Sequence, residues 1–158
     1  MTANIHPSYN ELQAVLDAVR ADGQSIALTN GCFDVLHVGH VRLLQEGAGS
    51  ADLLVVALNT DESVRSNKGE GRPHVPLVER LEVMAALAGV DYVTSFGEST
   101  AHDLLHALRP DVHVKGTDWT AETVPERDVV EAYGGKVLIA GDPKTHSSTG
   151  LIEKLGDE

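Results

Sequence analysis

The residues with the clearest chemical potential lie in Thr29-Asn-Gly-Cys-Phe-Asp-Val-Leu-His-Val-Gly-His40, which follows a short apolar run and leads into a helical pattern. His37 and His40, three residues apart, fall on one helical face, and Gly39 between them lets a ligand approach the backbone. Each imidazole offers an N–H donor, and a helix N-terminus adds unpaired amides and the positive end of a dipole. These are the parts needed to hold a triphosphate. Phosphoryl-type transfer at such a site would need in-line positioning and neutralised oxygen charge rather than an enzyme nucleophile. A histidine pair alone is as readily structural, and zinc would need further ligands that the sequence does not supply.

Other candidates are scattered along the chain. Lys115 closes a predicted strand and precedes Gly116, so its ammonium faces the crevice where open α/β sheets bind ligands. Lys68 and Arg72 lie in a glycine-bearing loop and Arg80 on the helix after it; they either converge above the sheet edge or stand as solvated charges. Ser147, Ser148 and Thr149 open the last helix, where hydroxyls suit phosphate and also serve as plain N-caps. The chain carries 24 acidic against 12 basic residues, a formal charge of −12. Nonspecific nucleic-acid binding is thereby excluded, and an anionic ligand must meet a local site of a few cations and amides.

The elements that position these residues follow from periodicity. Ser8 to Glu11 reads as a capping box for a helix with Leu12, Val15, Leu16 and Val19 on one face, ended by Gly23; this lead-in covers about residues 8–22. Ser25 to Thr29 and Leu53 to Leu58 read as strands around a buried helix containing Val38, Val41, Leu43 and Leu44. Helices are expected at Pro76 to Ala88, Thr100 to Leu108, Pro125 to Ala132 and Ser147 to Leu155, and strands at Tyr92 to Ser95, Asp111 to Lys115 and Lys136 to Ala140. The alternation implies an α/β, Rossmann-like doubly wound fold, a mostly parallel sheet with helices on both faces. Ser66 to Pro76 and Gly141 to His146 are the turn-rich breaks and the expected lids or site walls, with Lys144 in the second.

Length and composition fit one domain over residues 1–158, with 42% hydrophobic and 23% charged residues. The single cysteine, Cys32, cannot form an internal disulfide. No apolar run approaches a membrane span and the first residues lack a signal peptide's pattern, so a cytoplasmic location and no membrane partner are expected. A homodimer is the default expectation for oligomeric state.

The Thr29 to His40 segment resembles the signature of the cytidylyltransferase-like nucleotidyltransferases, with its glycine turn, aspartate and HxGH histidines. More narrowly, residues from about Glu11 to Leu155 resemble the heptose 1-phosphate adenylyltransferase domains of ADP-heptose synthases. That likeness rests also on Ala57-Leu-Asn-Thr-Asp61, Lys68-Gly-Glu-Gly-Arg-Pro73 with Pro76 and Arg80, Arg109-Pro-Asp-Val-His-Val-Lys-Gly116 and Glu131-Ala-Tyr-Gly-Gly135. The resemblance implies that His37 and His40, with Lys115, serve catalysis, and that Asn30, Gly31, Cys32, Phe33, Gly39, Ser147, Ser148 and Thr149 line the nucleotide site. Cys32 is expected there as a small packing residue. Asp34, Asn59, Lys68, Arg72 and Arg80 are placed toward the phosphorylated substrate. Magnesium is the implied cofactor, bridging phosphate oxygens with few protein ligands, and Asp34 is its candidate ligand.

The implied partners are ATP or another nucleoside triphosphate and a phosphorylated sugar or polyol. A separate protein would supply the phosphorylated heptose. Gly150 and Val124-Pro-Glu-Arg127 depart from the heptose pattern and bear on substrate contacts rather than chemistry. Two rival readings use the same residues: a cytidylyltransferase acting on glycerol 3-phosphate or a similar alcohol, and a noncatalytic nucleotide-binding regulator. The first usually carries Arg-Thr-x-Gly before the Ser-Thr helix start, which is absent here; intact His37 and His40 argue against the second.

Overall fold

The structure, a computed structural model, describes residues 2–143 and 147–156. In chain order the elements are β1 (Asn4–His6), α1 (Tyr9–Ala21), β2 (Ile26–Gly31), α2 (Val38–Ala48), β3 (Leu53–Asn59), α3 (Asp61–Lys68) and α4 (Leu77–Ala85). They continue with β4 (Tyr92–Phe96), α5 (His102–Leu108), β5 (Val112–Gly116), α6 (Arg127–Ala132), β6 (Lys136–Ala140) and α7 (Ser148–Gly156). The strands form one sheet in the order β1-β4-β3-β2-β5-β6, and every pairing is parallel. The expected doubly wound architecture is what the chain adopts.

Strand alternation divides the core. Ala27, Val56, Val112 and Val114 point to one face, packed with Leu44 of α2 and Leu81 and Met84 of α4. Leu28, Val55 and Ala57 point to the other, against Leu12 and Leu16 of α1, Leu104 and Leu108 of α5 and Val130 of α6. Because β2 is followed on one side by β3 and β4 and on the other by β5 and β6, the chain reverses direction across the sheet between β2 and β5. Ligands bind beyond the carboxyl ends of strands at such a switch point.

The opposite edge of the sheet is stapled by carboxylates. Asp52, Asp91 and Asp111 accept the backbone N–H groups of Ser25, Leu54 and Ile26, each at 2.8 Å. Part of the acidic excess therefore holds neighbouring strands in register, far from the carboxyl-end crevice.

Three features differ from the expectation. β1 was not anticipated: three residues without apolar alternation give no periodic signal, and the strand exists because it pairs with β4 from Asn4↔Tyr92 to His6↔Thr94. α3 occupies the start of what reads as a break; it is polar apart from Val64, and Thr60 caps it by accepting the Ser63 N–H. α2 is only partly buried. Leu44 and Gly47 face the core, whereas Val38 and Val41 are exposed at 41% and 38%.

Candidate active site

The β2 strand runs straight into the motif, and the turn that follows is conformationally costly. Phe33 has a φ of +47°, the left-handed region that a bulky residue enters at about 1–3 kcal/mol. Packing holds it there: Phe33 is buried in the α2/α4 core and its ring lies 5.2 Å from that of His40. Gly31 makes room, since a Cβ at that position would sit 3.2 Å from Phe33 Cε2.

The histidines cap α2 reciprocally. His37 is the N-cap and its Nδ1 accepts the Gly39 N–H at 3.1 Å, while His40 Nδ1 accepts the His37 N–H at 3.2 Å. The rings stack with centroids 3.9 Å apart. Since both Nδ1 atoms accept, a neutral imidazole at either position carries its hydrogen on Nε2. Burial, aided by His37, pushes His40 down to about 4, so it is uncharged near neutral pH. A neutral His40 thus presents its Nε2–H as a donor, and no second imidazolium is stacked against the His37 ring.

Both rings line an open cleft of about 340 Å³ at the carboxyl ends of β2, β5 and β6. Of the residues singled out from sequence, Asn30, Gly31, Cys32, Phe33, Gly39, Lys68, Lys115, Ser147, Ser148 and Thr149 line it too. Lys115 is largely buried, its Nζ 5.5 Å from the Trp119 ring centroid. Burial lowers its pKa, and Glu126 and Asp118 oppose that shift. Two helix N-termini, those of α2 and α7, open on the cleft. Ser147 Oγ accepts the Gly150 N–H and Ser148 Oγ donates to Val35 O, which docks α7 on the motif loop. For Ser147 the capping role is therefore realised, and Ser148 also acts as a tether. Gly141, Asp142 and Pro143 form a wall, as expected of that break; Lys144, Thr145 and His146 lie outside the described residues.

Four predicted site residues are not brought into the cleft. The Asp34 side chain is 1% exposed and accepts from Arg72 Nε at 2.8 Å and from the His74 and Val75 N–H groups at 2.9 Å. Burial raises its pKa, but these hydrogen bonds and the guanidinium outweigh that and hold it below the usual carboxylate value. Its oxygens are committed to fixing the loop after α3. Arg72 serves the same contact. Arg80, 2% exposed, donates to Val75 O, Cys32 O, Asn59 O and Asp61 Oδ1, tying the ends of β2 and β3 to α4. Asn59 is buried and donates to Ser63 Oγ. The Cys32 thiol is raised by burial despite nearby Lys68, Arg80 and Arg72, as befits a packing residue.

This arrangement agrees with what the chain is similar to. Residues 28–153, spanning the motif, the cleft and α7's first turns, match the family model described as cytidylyltransferase-like. The chain belongs to that family. Among relatives, the bifunctional protein HldE of Syntrophotalea carbinolica is 47% identical over 146 residues, covering 92% of this chain and 30% of the relative. The bifunctional protein HldE of Geobacter sulfurreducens is 46% identical over 144 residues, covering 91% and 29%. The chain thus spans about a third of the length of these relatives. A crystal structure of the lipopolysaccharide core biosynthesis protein from Thermoplasma volcanium shares the fold, with a TM-score of 0.67 at 24% identity over 77% of this chain and all of that one.

Within this cytidylyltransferase-like site the structure adds residues that sequence reasoning missed. Thr117, Asp118 and Trp119, just past β5, line the cleft beside Lys115. Trp119 is the chain's only tryptophan and is partly exposed, a signal that its position after a strand end could have flagged. Leu43 also lines it, and Asp142, in the expected wall, pairs with Arg42. Among the described residues no group of three or more His, Cys, Asp or Glu is arranged to hold a metal, and no helix is long and apolar enough to cross a membrane.

Proposed function

We propose that this domain transfers AMP from ATP to a heptose 1-phosphate and releases pyrophosphate. The observation that carries the transfer chemistry is the His37–His40 cap, with both Nδ1 atoms accepting backbone N–H groups at a switch-point cleft. A phosphate oxygen of the sugar phosphate, ionised at neutral pH, attacks the α-phosphorus. The new P–O bond forms as the bond to the bridging oxygen of the leaving pyrophosphate breaks. The Nε2–H groups donate to the oxygens on which charge shifts, and Lys115 neutralises the incoming or transferred phosphate. No proton has to be removed from the nucleophile.

The heptose assignment is supported by chain-wide similarity to the proteins named bifunctional HldE, together with the resemblance drawn from the sequence motifs. Magnesium, when bound, supplies neutralisation of the phosphate oxygens. Asp34 does not fit as its ligand, because its carboxylate is buried and already engaged by three donor groups. We therefore assign the metal to the substrate, as a magnesium–triphosphate complex, acting in a soluble cytoplasmic protein.

Pyrophosphate release, measured with each of the four common triphosphates against a panel of sugar and polyol phosphates, tests this reading. The highest kcat/KM is expected for ATP with heptose 1-phosphate. A preference for CTP with any acceptor would overturn the adenylyl assignment, and no release with any pair would overturn transfer itself.

A further inference from the structure

One buried polar residue beneath the cleft is used by neither the motif nor the transfer chemistry. His113, in β5, is fully buried and in register with Leu28, on the face covered by α1, α5 and α6. Its Nε2 lies 2.9 Å from Asn30 Oδ1, and its Nδ1 has no partner among the described residues. An imidazole in an aliphatic core is costly to desolvate, and a leucine would fill similar space. What the histidine adds is the contact to Asn30, which lines the cleft at the end of β2.

Burial, with Lys115 nearby, pushes His113 down to about 3, so the ring is neutral and has a single N–H. With that hydrogen on Nε2 it donates to Asn30 Oδ1 and leaves only a lone pair unpartnered. The other tautomer would bury an unpaired N–H, the rarer and more costly outcome. Asn30 Oδ1 is then engaged from below, and the amide NH2 is the end left for a ligand. A freely rotating amide would also present Oδ1, which repels phosphate oxygens.

We propose that His113 is a positioning residue that locks the Asn30 side chain so that its NH2 donors, and not its carbonyl oxygen, meet the acceptor atoms of a bound nucleoside triphosphate. The proposal rests on the cleft being the nucleotide site.

Binding of magnesium–ATP is measured by calorimetry, with thermal unfolding in parallel, for the wild type, His113→Leu, His113→Gln, Asn30→Ala and the Asn30→Ala/His113→Leu double variant. His113→Leu is expected to weaken binding on the order of tenfold, the loss of one well-placed hydrogen bond, without lowering Tm. His113→Gln, whose amide N–H can donate to the same oxygen, is expected to restore it. In the Asn30→Ala background His113→Leu should have no further effect. Wild-type binding by His113→Leu, or an equal loss with and without Asn30, would overturn the proposal. If the leucine variant fails to fold, His113→Asn, polar but too short to reach Asn30, takes its place in the same cycle. Failure of the wild type to bind any nucleoside triphosphate would instead overturn the nucleotide-site reading, and it would be seen before any substitution is made.

Discussion

Replacing Asp34 by asparagine separates a loop-fixing role from a metal-binding one. The wild-type carboxylate is 1% exposed and receives Arg72 Nε and two backbone N–H groups at 2.8–2.9 Å. An amide keeps one acceptor oxygen, turns its NH2 toward at least one of those donors, and deletes the charge facing Arg72, whose side chain is only 15% exposed. Removing one partner of a buried ion pair costs about 3–5 kcal/mol. The remaining oxygen and the partial exposure of Arg72 place Asp34→Asn at the lower end, about 3 kcal/mol. For a chain of this size each kcal/mol moves Tm by about 2–4 °C, so a drop of about 6–12 °C is expected. The assay is calorimetric unfolding at pH 7 in buffer with chelator. Asp34 has a lowered folded pKa, so its contribution is fully present above the unfolded carboxylate value and is lost as pH falls through the folded one; pH 7 lies on the plateau. An unchanged Tm in chelator, together with a sharply raised magnesium requirement for activity, would instead return Asp34 to the metal.

Lys115→Ala is expected to lower kcat/KM by about 10- to 100-fold by removing a largely buried cation from the cleft, whereas Lys136→Ala, at the exposed amino end of β6, should change it little; equal small effects in steady-state kinetics would return Lys115 to a surface role. Stability should also fall in mild acid. His113 and His40 have folded pKa values depressed to about 3 and about 4, so the stability they contribute is present above the unfolded value near 6.5 and is lost as pH falls below it. At pH 5 the 1.5-unit gap is worth about 2 kcal/mol for the fully buried His113. Denaturant unfolding from pH 7 to 5 should therefore be flatter for His113→Leu than for wild type; parallel curves would contradict its buried neutral state.

Much of the fold is legible because β2, β3 and β5 are short apolar runs ended by polar or glycine residues, and α1 carries a strict apolar stripe. β1 and α3 are not legible, since one owes its existence to pairing with Tyr92–Thr94 and the other to the Thr60 cap. The cleft is legible from the motif, the strand ends and the α7 start, whose positions follow directly from parallel α/β topology. Asp34 and Arg80 show where that reasoning stops. A charged residue inside a phosphate-binding motif looks the same in sequence whether it faces the ligand or braces the loop, and only tertiary partners such as Val75 O and the His74 N–H decide. His113 lies within the Arg109 to Gly116 run, but its role is not legible there, because its single hydrogen bond joins residues 83 positions apart.

If the stacked His37–His40 pair stabilises nucleotidyl transfer in this cleft, the turnover of ATP and heptose 1-phosphate depends on both rings. Phosphorus NMR under single-turnover conditions follows the substrates and their products with the wild type and with His37→Ala and His40→Ala. Pyrophosphate and a nucleotide sugar are expected to form one to one with the wild type, and the rate to fall by about 10²-fold or more in each variant with folding retained, the scale of losing one preorganised donor. Near-wild-type rates in either folded variant, or pyrophosphate without a matching nucleotide sugar, would contradict that role of the pair.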